Sequence, residues 1–278
     1  MLKLAAFADE ISPQLDEQIA VCRENGVTHF ELRGVYGKNV LDFDRALREE
    51  IKSKLSAHGM GVISIGSPIG KVKIDEPWEP HFERFKIAVD AAEFFGSPFV
   101  RLFSYYAPQA GGDIGKHRDE VISRFRAKVD YLKDHPSVTL VHENEKDIYG
   151  EKAAGCFDLM KTIESPKLRM AFDFANFVQA GQEPRDAWAM LKLYSVHIHI
   201  KDAIKGSGKV VPAGEGDGQI EPILADAYAS GYRGFLSLEP HLKVAGHSHG
   251  ETGPELFKTA ADALKAICRR TGIPLAGA

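Results

Sequence analysis

Cysteine is scarce in this 278-residue chain. Cys22, Cys156 and Cys268 stand far apart and are odd in number, so they offer neither a zinc spacing nor a disulfide framework. A reducing compartment is the expected setting. An excess of basic residues is also missing: 35 Lys and Arg face 39 Asp and Glu, a formal net charge of -4. That balance argues against a dedicated nucleic-acid surface, which needs clustered Lys and Arg. No apolar run is long enough to span a bilayer, and the opening MLKLAAFADEISPQ lacks the apolar core and cleavage site of a secretory signal. The expectation is a cytoplasmic protein with neither membrane nor nucleic-acid partners. Low-complexity linkers and breaks in composition are absent too, so residues 1–278 are read as one domain.

What is present is an alternation. Short runs rich in β-branched and aromatic residues are predicted as strands at 3–9, 29–34, 61–67, 99–105, 139–145, 168–174, 195–202 and 235–241. Segments of helical period lie between and after them, at 14–25, 43–58, 79–95, 117–134, 151–163, 184–191, 219–230 and 254–270. In the second of these Phe43, Leu47, Ile51 and Leu55 share one face. Gly26, Gly59, Gly96 and Gly231 fall just past predicted helix ends. Eight strand–helix units in sequence predict an α/β fold of the (β/α)₈ TIM barrel type. The rival, a doubly wound open sheet, usually has a glycine-rich first turn, and FADEISPQ has no glycine.

A barrel of this kind builds its active site at the C-terminal ends of the strands. Those ends are strongly polar here: Asp9, Glu10, Glu31, Arg33, Ser67, Arg101, Glu143, Glu145, Asp173, Asn176, His197, His199, Glu239 and His241. Glu143, Asp173, His199 and Glu239 each interrupt an apolar run on four consecutive strands. Three buried carboxylates would repel one another unless a cation neutralised them. This oxygen-rich set with one imidazole predicts one divalent metal ion, Mn²⁺ first, with Mg²⁺, Co²⁺, Fe²⁺ or Zn²⁺ as alternatives. Glu145 shares strand parity with Glu143, so either fits the ligand position.

In SVHIHIKDA, His197, His199 and Lys201 share one face, and Val196, Ile198 and Ile200 the other. His197 is read as supporting or touching the substrate, Lys201 as approaching substrate oxygens, and Asp202 as orienting its neighbours. Arg101 suits a substrate carboxylate or phosphate. Lys71 shares that chemistry, but as a single loop lysine it is read as solvated. His247 and His249 are likewise read as solvated loop residues. Phe7, Phe103, Tyr105 and Phe174 are candidate pocket walls, with core packing at least as strong an expectation.

Four motifs then carry a resemblance. They are H-E-N (142–144), F-D-x-x-N (172–176), V-H-x-H-x-K-D (196–202) and L-S-L-E-P (236–240), with VPAGEGDGQI (211–220) similar to a Pro-x-Gly-x-Gly loop. Together they resemble the sugar phosphate isomerase/epimerase group of xylose isomerase-like TIM barrels, over essentially the whole chain. The group includes ketose 3-epimerases and inosose dehydratases, with endonuclease IV more distant. The resemblance implies Glu143, Asp173, His199 and Glu239 as metal ligands, and Glu143 and Glu239 also as the catalytic acid/base pair. Where the epimerases have His after the Asp ligand this chain has Asn176, and where they have Glu and Arg past the His ligand it has Asp202 and Lys205. Arg101, Glu145, Asn176, His197, Lys201 and Lys205 form the substrate-binding expectation.

The implied activity is metal-dependent isomerisation or epimerisation of a sugar or keto-sugar derivative. A cation on the carbonyl and its neighbouring hydroxyl acidifies the α proton, which a carboxylate removes and a second acid returns. Loss of a β-hydroxyl from the same intermediate gives the alternative, a lyase of the inosose or 3-dehydroshikimate dehydratase type. An endonuclease IV-like hydrolase is remote, since that family has more histidine ligands and a basic surface. A catalytically dead sugar-binding barrel is disfavoured by the intact four-residue set. Small sugars are the expected partners, with a homo-oligomer left open.

Overall fold

The computed structural model describes residues 1–245 and 250–276. His247 and His249 lie outside the described residues. The strands are β1 (Lys3–Ala6), β2 (His29–Leu32), β3 (Gly61–Ile65), β4 (Phe99–Leu102), β5 (Thr139–Glu143), β6 (Leu168–Asp173), β7 (Ser195–Ile200) and β8 (Phe235–Leu238). They pair in sequence order and close on themselves, β8 lying parallel to β1 from Lys3 opposite Phe235 to Ala6 opposite Leu238. This is the expected (β/α)₈ barrel.

The described helices are α1 (Leu15–Glu24), α2 (Arg45–Ala57), α3 (Trp78–Phe95), α4 (Arg118–Tyr131), α5 (Ala153–Ile163), α6 (Phe174–Gln179), α7 (Pro184–Leu191), α8 (Ile220–Ala229) and α9 (Pro254–Thr271). In α2 the Asp44 side chain caps the first turn by accepting from Leu47 N, and Leu47, Ile51 and Leu55 are the buried stripe. The α3 helix stops at Gly96, whose φ of 70° suits glycine far better than a residue with a Cβ. No described helix is long and apolar enough to cross a membrane.

Strand alternation sorts side chains into two populations. Leu4, Phe30, Leu32, Val100, Leu102, Leu140, Phe172, Ile198, Ile200 and Leu236 join the helices in one apolar core. Their neighbours Glu31, Arg101, Glu143, Asp173, His197, His199 and Ser237 are also buried, but polar. The barrel interior near the mouth is therefore a polar layer inside an apolar sleeve.

Two features depart from expectation. Several strands stop two or three residues early, β4 at Leu102 and β8 at Leu238, because the chain there turns out to build the mouth. An extra one-and-a-half-turn helix, α6, follows β6, since Asp173 Oδ1 accepts from Asn176 N and nucleates it. The loops after β2, β7 and β8 satisfy part of their backbone with short antiparallel ladders, such as Asp202–Ala203 against Val210–Val211.

Leu264, fully buried on α9, tests the sleeve. Leu264→Ala should cost about 2–5 kcal/mol, whereas Arg269→Ala on the exposed face of the same helix should stay within about 0.5 kcal/mol. Urea denaturation with an unchanged m-value checks both.

Candidate metal centre

Glu143 and Asp173 are the last residues of β5 and β6, His199 is the penultimate residue of β7, and Glu239 follows β8 directly. One ligand atom from each lies within 4.8 Å of the others, and all four residues are buried. His199 Nδ1 stands 3.3 Å from Glu143 Oε1 and 3.7 Å from Glu239 Oε2. Of the two glutamates left open by sequence, Glu143 enters the cluster. Glu145 lies beyond the strand end, where its Oε2 meets Lys71 Nζ at 3.0 Å.

His199 is oriented from below by Glu31, a residue that no sequence motif singles out. Glu31 Oε2 lies 2.7 Å from His197 Nε2 and 3.1 Å from His199 Nε2, and accepts from Ser237 Oγ at 2.9 Å. Its Oε1 accepts from Ser64 Oγ at 3.0 Å. Two register shifts aim these groups inward. The β2–β3 pairing skips Ile63 so that Ser64 faces Glu31, and the β6–β7 pairing skips Val196 before His197. A carboxylate only accepts, so Nε2 carries a proton and Nδ1 is the nitrogen that can give up its own proton to coordinate a cation. That buried Nδ1 has no hydrogen-bond partner. An orphaned nitrogen facing three carboxylates is the donor set that a divalent cation fits.

His197 is fully buried beneath His199, its ring edge-on to the His199 ring at 5.2 Å. Its Nε2 is held by Glu31, the same carboxylate that holds His199.

The carboxylates are neutralised by cations at the ends of three strands. Arg101 Nη1 donates to Glu143 Oε2 at 2.9 Å and lies 3.5 Å from Glu239 Oε1. Lys201 Nζ bridges Asp173 Oδ2 at 3.0 Å and Glu239 Oε2 at 3.2 Å. Arg33, unassigned from sequence, reaches Glu239 Oε1 at 3.4 Å and Asp9 Oδ2 at 2.7 Å. The Phe7 ring is within cation–π distance of both guanidinium groups, at 4.7 Å and 4.6 Å. Asn176 Nδ2 donates to Glu143 Oε1 at 3.3 Å and to Asn144 O at 2.8 Å, so it braces the glutamate.

Two expectations change, and the core packing expected of Tyr105 and Phe174 is observed. Lys71 is not a solvated loop lysine: its side chain is only 14% exposed, pairs with Glu145 and lies over the Phe103 ring at 4.3 Å. Lys205 is not brought to the cluster. It occupies the exposed turn before Val210 and pairs with Glu183, because the Asp202–Ala203 ladder carries the chain outward. Asp202 accepts from Gly214 N, Gly216 N and Gly218 N at 2.8, 3.1 and 2.8 Å, pinning the glycine-rich loop.

Burial would push the Glu143 carboxyl up, but His199 and Arg101 outweigh it and hold it at about 2. Burial lifts Asp173 to about 6, with Lys201 opposing and Glu143 and Glu239 adding to the rise. Burial would push His199 down, but the Glu31 and Glu143 carboxylates hold it well above the ordinary histidine range. Without a metal, the centre therefore keeps a proton on His199 at neutral pH, and Asp173 takes up another as pH falls through about 6. Coordination needs both groups deprotonated, so affinity must fall on acidification. Titration calorimetry with Mn²⁺ should show Kd rising about one decade per pH unit near neutrality, steepening toward about two below pH 6. A Kd that is flat from pH 8 to 5 would contradict the assignment.

The sequence matches the xylose isomerase-like TIM barrel family over residues 19–267. An uncharacterised protein of Escherichia coli K12, YihM, is 27% identical over 240 residues, spanning 80% of this chain and 67% of that protein. Among solved structures, the probable 3-dehydroshikimate dehydratase AsbF of Bacillus anthracis superposes with a TM-score of 0.74 at 17% identity, covering 95% and 98% of the two chains. The 3-keto-D-glucoside 4-epimerase YcjR of E. coli gives 0.72 at 14% identity, with 96% and 98% covered. A Mycobacterium smegmatis protein solved with magnesium gives 0.73 at 17% identity, with 98% of each covered. At these identities the structural likeness establishes the fold. The closed barrel and the family match together place this chain in the xylose isomerase-like TIM barrel family.

Proposed function

We propose that the protein is a divalent-metal-dependent isomerase or epimerase of a sugar or keto-sugar derivative, acting as a single domain in the cytoplasm. The observation that carries this reading is the buried quartet of Glu143, Asp173, His199 and Glu239, in which His199 Nδ1 makes no hydrogen bond. A divalent cation bound there, Mn²⁺ or Mg²⁺ by the hardness of the donors, supplies positive charge that acidifies a carbon next to a carbonyl.

The rest of the chemistry belongs to side chains. Glu143 and Glu239 form the proton-transfer pair. Both are ionised: burial is outweighed at Glu143 chiefly by His199, and at Glu239 by Lys201, His241 and His199. Arg101 contacts both carboxylates and sets their separation. A substrate inserting between them finds one carboxylate on each side, one to remove the α proton and one to return it. Lys201 stands 3.2 Å from Glu239 Oε2 and is placed to donate to an oxygen that gains charge as the proton leaves. Asn176 holds Glu143 in register through its 3.3 Å contact. Asp173 and His199 are fixed from behind, by the α6 backbone and by Glu31, so neither has to reorganise.

The test is deuterium uptake at the α-carbon of keto-sugars in D₂O, read by mass spectrometry. The Mn²⁺-saturated enzyme should exchange, and Glu143→Gln and Glu239→Gln should each lower the rate by about 10²–10⁴-fold. Growth of an ultraviolet enone absorbance during exchange would assign the dehydratase outcome. Exchange that survives complete chelation of metal would exclude the proposal.

A further inference from the structure

A cleft of about 640 Å³ opens beside the centre, walled by described residues that follow β1, β2 and β8. Its size lies within the range of about 300–1,000 Å³ occupied by whole ligand sites. Yet Glu143, Asp173, His199 and Glu239 are all absent from its lining. Among the described residues Arg33 and Glu10 link the two places: Arg33 Nη1 is 3.4 Å from Glu239 Oε1, and Glu10 Oε1 is 3.1 Å from the His241 Nε2 that faces the same glutamate. The cleft therefore begins one side chain away from the reacting position and extends outward from it.

The lining describes the occupant. Its charges are Asp9, Glu10 and Glu251 against Arg33, Lys38 and Lys243, three of each sign. Arg33 is committed to Asp9 at 2.7 Å, and Lys243 faces Glu251 at 3.7 Å. A wall balanced in charge, with two of its three described cations already paired, gives little net attraction to a phosphate or carboxylate. It does offer closely spaced donors and acceptors, which suit vicinal hydroxyls. Ile11, Pro13 and Val35 supply the apolar surface on which the C–H face of a ring can lie. Among the described residues no aromatic side chain lines the cleft, so they offer an aromatic group no stacking partner.

We infer that the substrate is a neutral two-unit glycoside, whose keto-sugar unit reacts between Glu143 and Glu239 while its O-linked second sugar ring occupies the cleft bordered by Arg33 and Lys38. The inference rests on the proposed proton-transfer reading for the reacting unit, and the cleft is tested separately from it. With Mg²⁺-loaded protein, saturation-transfer difference NMR compares D-fructose with lactulose, maltulose, isomaltulose, sucrose and trehalose. At least one disaccharide should bind about tenfold or more tightly than D-fructose, the scale of one or two added hydrogen-bonded contacts. Its second ring should receive saturation. Lys38→Trp and Lys243→Trp, which narrow the cleft from two different loops, should each remove the second-ring signal, while Lys161→Trp on the exposed face of α5 should retain it. Deuterium exchange on the same sugars reads the catalytic proposal alone. If no disaccharide outbinds D-fructose, or if second-ring saturation survives both cleft variants, the inference is overturned even where exchange is observed.

Discussion

The Glu31 carboxylate lies at the centre of the barrel with no exposure to solvent and draws in His197, His199, Ser64 and Ser237. An isolated buried carboxylate costs several kcal/mol, and hydrogen bonds to a charged group return about 1.5–3 kcal/mol each. Four of them make the burial affordable only as a set. The arrangement also fixes the His199 ring, because one nitrogen is spent on Glu31 and the other is aimed at Glu143 and Glu239. Replace Glu31 with an apolar residue and His199 loses both its tautomer and its orientation. The three carboxylates above would then face a loose ring.

The polar centre and the apolar sleeve divide the work of the fold. Residues facing the helices stabilise the barrel by burial, and on β2, β4 and β7 they alternate with buried polar residues of the centre. Above the strands, loops are locked by backbone pairing. Phe103 N, Tyr105 N and Tyr106 N donate to Ile69 O, Gly70 O and Val72 O. This zipper requires glycine at position 70, where a Cβ would lie 1.9 Å from Phe103 O at a φ of 93°. Its consequence for the site is the half-buried Lys71, held over Phe103 and against Glu145.

Much of this was legible in the sequence because it is local. Period-two runs and 3.6-residue stripes specify strands and helices, and a polar residue breaking an apolar run near its end marks Glu143, Asp173, His199 and Glu239. What escaped is set by contacts between distant segments. Glu31 is one carboxylate in HFELRG, and its importance appears only when His197 and His199, 166 and 168 residues away, fold onto it. Arg33 became a partner of Glu239 in the same way. Lys71 and Lys205 exchanged expectations because loop path, which propensity does not encode, carried one inward and the other outward. The short helix α6 was missed because six residues give too little period, although its cap, Asp173, was already marked for another reason.

The central claim is that Glu31 holds His199 so that Nδ1 takes part in a centre with Glu143, Asp173 and Glu239. Cadmium-113 NMR of protein with ¹⁵N-labelled histidine reads this directly, since ¹¹³Cd–¹⁵N coupling identifies the coordinating nitrogen. The account predicts coupling to His199 Nδ1 and to no nitrogen of His197, and weaker cadmium affinity by about 10–100-fold in Glu31→Gln. Coupling through His199 Nε2, or an affinity unchanged by the Glu31 substitution, would contradict it.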